Sequence, residues 1–317
     1  MGKAAVILAL YVAACSSGEA ADSTATSTPS PSTTATAAGP TITAPARVST
    51  TTAPTTTTST GDTTTTTELL EGEWADGPLV TTAFGALGWW DGDAWVDAVE
   101  DGALPVSGGE DYQVVVLDQL VRTTGGPPTN VCGPLDLVGV ELDEPDLLGE
   151  FPGPYGLAIS APWTLQPHLF EELEDDGTYA GFAAELLADR GLEVAEPVIK
   201  QLFRTDLEGD GVDEVLVVAE EVTPGFIMEE GDYSIAFVRK VVDGAVQTMI
   251  LGQTVVLEEA EQFSGAFSFG GVADFNGDGK MEVIHNGAYF ESFSVSIWEY
   301  VNDDLGVVEV LGVGCGS

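Results

Sequence analysis

Six short runs of β-branched and aromatic residues, most of them bounded by Gly, Asp or Asn, recur between residues 68 and 317. They are Tyr112–Leu117, Leu135–Leu142, Val215–Ala219, Tyr233–Val242, Val255–Leu257 and Phe293–Val301. Runs this short, separated by turn residues rather than long helical stretches, read as antiparallel strands. One helix is predicted, over about 178–190, where Tyr179, Phe182, Ala183, Leu186 and Leu187 recur at helical spacing and Gly191 follows as the C-cap. The expected fold class is mainly β: antiparallel sheets with a small helical insertion. A soft boundary falls near that helix, giving a β-rich part over 68–195 and a second over 196–317.

The residues before this region have a different character. From Ser16 to Thr67 the chain is almost entirely Thr, Ser, Ala, Pro and Gly. With no apolar face to bury, such a segment cannot offset its own ordering entropy and is expected to be a tether. As a coil it would span on the order of 40 Å. Ahead of it stand Lys3, an apolar run from Ala4 to Ala14, and Cys15. The run is well short of the roughly 20 residues a spanning helix needs, and its parts are those of a secretory signal. Val12-Ala13-Ala14-Cys15 resembles the lipobox of bacterial lipoproteins. The resemblance implies a signal peptide over 1–14, a lipid on Cys15, a linker over 15–67, and a domain held on the outer face of the cell membrane. An ordinary signal peptide with an incidental cysteine is the alternative.

Charge and cysteines bound the partners. The formal net charge is −43, from 9 Lys+Arg and 52 Asp+Glu. Such a chain repels nucleic-acid phosphate, so no nucleic-acid partner is expected. The acidity suits either a salty medium, where salt screens the repulsion, or the binding of cations or a basic partner. Once Cys15 is set aside, Cys132 and Cys315 remain as an even pair. In an oxidising compartment they are expected to form a disulfide; two separate buried thiols are the other possibility.

The strongest chemical signal is a pair of nine-residue segments, Asp206-Leu207-Glu208-Gly209-Asp210-Gly211-Val212-Asp213-Glu214 and Asp274-Phe275-Asn276-Gly277-Asp278-Gly279-Lys280-Met281-Glu282. Both place an oxygen-bearing side chain at positions 1, 3, 5 and 9. Calcium takes six to eight hard oxygen ligands, and a tight loop with alternate side chains turned inward supplies them from few residues. Glycine at position 6 permits the turn that aims the carbonyl of Val212 or Lys280 at an ion. An EF-hand is excluded, because Val217 and His285 stand where its closing Glu belongs. Single Asp-Gly turns are common without metal, but these two share both glycines and the closing Glu.

Each loop runs directly into an apolar strand, and the pattern resembles the calcium loops of FG-GAP and VCBS repeats, an integrin-like β-propeller family of extracellular proteins. The resemblance covers roughly 197–300 and implies a partial or composite β-propeller-like architecture with calcium as cofactor. It places ligands on Asp206, Glu208, Asp210, the Val212 carbonyl and Glu214, then on Asp274, Asn276, Asp278, the Lys280 carbonyl and Glu282. Glu208 departs from the family's usual Asp or Asn at position 3.

Two functions fit. One is a non-catalytic binding or adhesion module with structural calcium, its ligand a surface protein or glycan. The other is an extracellular hydrolase acting on polysaccharide. No G-x-S-x-G, H-E-x-x-H or G-x-x-x-x-G-K motif is present. His168 and His285 read as surface or satisfied histidines. Trp89-Trp90-Asp91-Gly92-Asp93-Ala94-Trp95 suits either a sugar-stacking platform or a core position, and Glu171–Asp176 a solvated helix start.

Overall fold

The computed structural model describes residues 70–316 apart from 102, 134–135, 150–152, 166–168, 176, 224–227, 243, 259–264 and 303–305. The expected signal, Cys15 and the linker lie outside the described residues, as does His168. Three antiparallel sheets carry the fold. The first joins two meanders, β1 (Leu79–Thr82), β2 (Gly85–Trp90), β3 (Trp95–Asp97) and β4 (Asp111–Val116), β5 (Gln119–Cys132), β6 (Leu137–Leu142). Strand β7 (Leu157–Ile159) pairs with both β1 and β4 and closes them into a seven-stranded sheet, order β3-β2-β1-β7-β4-β5-β6. The second sheet, order β12-β11-β10-β9-β8, contains β8 (Phe170–Glu172), β9 (Ile199–Thr205), β10 (Glu214–Glu221), β11 (Tyr233–Val242) and β12 (Ala245–Val255). The third is a four-stranded meander, β13 (Ala266–Ala273), β14 (Glu282–Tyr289), β15 (Ser292–Asn302) and β16 (Gly306–Gly316). The mainly β, antiparallel class is thus as expected.

Period-two alternation sorts these strands into layers. Leu216 and Val218 on β10 join a core with Phe269, Val272 and Val283 of the four-stranded sheet, whereas Val217 and Ala219 face helix α2 (Thr178–Ala188) through Ala183 and Leu187. On β14, Val283 belongs to that first core, and its neighbour Ile284 to another shared with Val80, Leu87 and Ile159 of the seven-stranded sheet. The four-stranded sheet is therefore buried on both faces. The far face of the seven-stranded sheet packs Leu79, Tyr112, Val114 and Leu148 together with Ala98 of the short helix α1 (Ala98–Asp101). That last core lies wholly before residue 195, whereas the other cores, including the one packed against α2, draw on residues from both sides of it. All the described residues fall within one compact unit, Thr63–Ser317.

Helix α2 follows its sequence signals. The Asp175 carboxylate accepts N–H bonds from Gly177, Tyr179 and Ala180 at 3.1, 3.0 and 3.2 Å, meeting donors that the first turn leaves free. Gly191, with φ of 91°, ends it, and Leu192 N–H returns to the Leu187 carbonyl. Glu171, in the same acidic run, pairs with Arg204.

Not every strand falls on an expected run. Strand β12 ends at Val255, so Val256 and Leu257 lie beyond it. Strand β5, outside the expected runs, passes through Gly125-Gly126-Pro127-Pro128; a register shift against β6 between Gly125 and Pro128 takes up Gly126 and Pro127. Cys132, at the end of β5, is disulfide-bonded to Cys315 on β16, with Cα atoms 6.0 Å apart. The bond ties the seven-stranded sheet to the four-stranded one.

Candidate metal centres

The two nine-residue segments occupy equivalent hairpins. One joins β9 to β10 and the other β13 to β14, and each opens just past the pair that ends its ladder, Thr205↔Glu214 or Ala273↔Glu282. Their backbones match. Gly209 and Gly211 have φ of 70° and 83°; Gly277 and Gly279 have 78° and 88°. These are left-handed values that a side chain would strain.

Three hydrogen bonds repeat at matching positions, while others differ: Asp206 Oδ1 accepts from the Asp210 N–H at 3.1 Å, whereas Asp274 Oδ1 accepts from Gly277 at 2.6 Å and Asn276 Oδ1 from Asp278 at 2.9 Å. Position 1 accepts from the N–H at position 6, Asp206 from Gly211 at 2.9 Å and Asp274 from Gly279 at 3.0 Å. Position 5 accepts from position 7, Asp210 from Val212 at 2.7 Å and Asp278 from Lys280 at 2.8 Å. The closing glutamate accepts from position 2, Glu214 from Leu207 at 2.9 Å and Glu282 from Phe275 at 2.6 Å. Leu207 and Phe275 are fully buried and anchor the loops in the two cores on either side of the four-stranded sheet. The loops also touch, since Met281 N–H donates to the Leu207 carbonyl at 2.7 Å.

Both closing glutamates are sealed from water, Glu214 at 0% and Glu282 at 1% exposure. In each, Oε2 takes the backbone bond and Oε1 has no partner. A buried polar atom left unsatisfied is costly, and a charged one more so. Burial pushes the Glu282 carboxyl well above the usual range, and the neighbouring Asp274, Asp278 and Glu299 push it further. Burial raises Asp274 to about 6 and Glu214 to about 7. A proton or a cation relieves such a carboxylate, and the donor set around Glu282 is all hard oxygen, as calcium requires. Among the described residues no three His, Cys, Asp or Glu side chains converge into a ligand group. A cation here must therefore also draw on Asn276 and on main-chain oxygen.

The surroundings of the loops differ. Glu208 forms an ion pair with Lys240 of β11, both nearly buried. The second loop is held by Trp163, from a connection of the seven-stranded sheet, and by Glu299 of its own four-stranded sheet. Trp163 donates Nε1–H to the Asp274 carbonyl at 2.9 Å, and its ring lies against Gly277. Glu299 of β15 accepts from Asn276 Nδ2 at 3.0 Å through one oxygen and from Trp95 Nε1 at 3.1 Å through the other. Lys240, Glu299 and Trp163 carry no sequence signal, because each reaches a loop from another strand or connection, and Trp95 acts only through Glu299.

No family model, curated protein or solved structure matches this chain. The remaining candidates resolve on geometry. The Trp89–Trp95 segment is a β2–β3 hairpin in which Trp89 and Trp95 pack against different cores and Trp90 meets Trp95 edge-on at 5.2 Å. His285 is no surface residue: it is 6% exposed, stacked on Phe267 at 5.4 Å, with Nε2 unpartnered. Burial lowers its pKa to about 4, so it stays neutral at ordinary pH. No helix among the described residues is long and apolar enough to cross a membrane.

Proposed function

We propose that this protein is a calcium-stabilised, non-catalytic binding or adhesion module of the FG-GAP/VCBS type, exported and displayed on the outer face of a bacterial membrane by a lipid on Cys15. The observation that carries the reading is the unpartnered Oε1 of Glu282, buried inside an oxygen-lined loop that sits between two sheets. Calcium supplies the missing positive charge, and the loop then fixes the hairpin joining β13 to β14 against Trp163 and the Trp95–Glu299 contact. The metal's task is to hold a surface. The ligand class is a surface protein or a glycan.

The test is thermal unfolding of the full chain in EDTA, then with calcium or magnesium, beside Asp278→Ala. For a site of about 10⁻⁵ M affinity, calcium near 1 mM stabilises the fold by about 2.7 kcal/mol. In a chain of this size that is a rise of roughly 5–10 °C. The rise is expected with calcium, is smaller with magnesium, and is blunted in the variant. An unchanged melting temperature in all three conditions removes calcium from the account. A glycan screen that also monitors product release separates a binding module from a polysaccharide hydrolase.

A further inference from the structure

The third strand of each meander passes beside its loop in matching register. Val215, one residue past the first loop, pairs with Arg239; Val283, one past the second, pairs with Trp298. The next residue along the third strand is Lys240 in one case and Glu299 in the other. Pseudo-equivalent positions thus carry opposite charges. Lys240 is 5% exposed, is ion-paired with Glu208, and its charge also reaches Glu214. Glu299 brings a carboxylate to the same place and holds Asn276 by its amide.

We infer that the protein holds a single calcium ion, in the 274–282 loop with Glu299 as the positioning residue for Asn276, and that Lys240 stands in for the ion in the 206–214 loop. This rests on the calcium reading above and corrects the count that two equivalent loops imply. A calcium ion entering the first loop must part Lys240 from Glu208 and leave a buried ammonium beside a dication. Breaking a buried pair by removing one partner is strongly unfavourable. The second loop contains no such competitor. Lys280 is partly exposed, and among the described residues no ion pair within 4.0 Å joins it to a carboxylate. The charges that act most on Glu282, whose Oε1 is orphaned, are acids, Asp274, Asp278 and Glu299, with the partly exposed Lys280 acting on Glu299, whereas Glu214 has the buried Lys240 among its own. The first loop keeps its glycines and hairpin geometry because it braces its neighbour through Leu207 and Met281.

Calcium titration of the full, metal-stripped chain by calorimetry decides the matter. One ion per chain is expected. Asp278→Ala abolishes uptake and Asp210→Ala leaves it intact. Glu299→Gln weakens it roughly 10- to 100-fold, the usual cost of losing the group that orients a ligand, without lowering the metal-free melting temperature. Lys240→Gln is expected to admit a second ion; if that variant does not fold, the Asp210 and Asp278 pair decides alone. Two ions in the wild type, or uptake lost in Asp210→Ala, overturns the inference and leaves the calcium brace standing. No uptake at all, with no calcium-dependent rise in melting temperature, removes both.

Discussion

At the residue scale, the fold places ionisable groups where water cannot reach them, and the sign of each consequence can be worked out. Glu282 has its carboxyl pKa raised by burial, so its charged form works against folding unless something positive accompanies it. Glu282→Gln keeps an acceptor for the Phe275 N–H and removes the charge. The variant is expected to melt higher than wild type in EDTA and to lose the calcium-dependent rise; a variant that still responds to calcium would show that the ion binds elsewhere. His285 behaves in the opposite sense. Its pKa is lowered from 6.5 to about 4 in the folded chain, so the stability it contributes is present above the ordinary value and is lost as pH falls from about 6.5 toward 4. The loss is on the order of 3 kcal/mol. Urea unfolding at pH 7 and pH 4.5, wild type against His285→Leu in EDTA, reads it as a difference that shrinks in acid. A difference independent of pH would mean that the imidazole is charged in the folded state.

At the element scale, the hairpins are where sequence and tertiary structure meet. Glycines at positions 4 and 6 and an acceptor at position 1 are local requirements, and both loops were legible from them. The metal-free second loop also has a pH signature. Asp274, raised to about 6 by burial, and Glu282, raised further, contribute stability that is present in acid and lost as pH rises through the folded values. In EDTA the melting temperature is therefore expected to fall between pH 5 and pH 8, against the smaller opposing trend of His285. In calcium this fall is offset, because the ion takes the place of the protons. Parallel melting curves across that range, with and without calcium, check it, and identical slopes would rule out a shared site. Helix α2 was equally legible, since its cap and stop signals are local. Strand β5 was not: it lies between two of the expected runs and pairs with β6 at Gly125 and again at Pro128 across a register shift.

At the scale of the whole molecule, one core crosses the boundary drawn near residue 195, joining Val80, Leu87 and Ile159 to Phe275, Ile284, Val295 and Ile297. A fragment of residues 196–317 would expose the second half of that core and is expected not to fold cooperatively alone, as judged by circular dichroism and thermal unfolding. A sharp transition in the isolated fragment would restore two independent domains. The Cys132–Cys315 bond closes 183 residues and spans the same junction. Replacing both cysteines by serine is expected to cost about 2–5 kcal/mol in denaturant unfolding while calcium uptake persists, since neither cysteine touches a loop.

The sequence by itself determined the strand-rich class, the one long helix, the cysteine pair and the nine-residue loops. Each of these depends on residues close in the chain or on simple counting. Tertiary structure alone decided that the four-stranded sheet is buried on both faces, that Trp163 reaches the second loop while Trp95 holds Glu299 beside it, and that Lys240 and Glu299 face equivalent loops with opposite charge. These facts arise from register between strands far apart in sequence. Only pairing brings such residues together, and so only pairing shows that one loop faces a buried lysine and the other a glutamate.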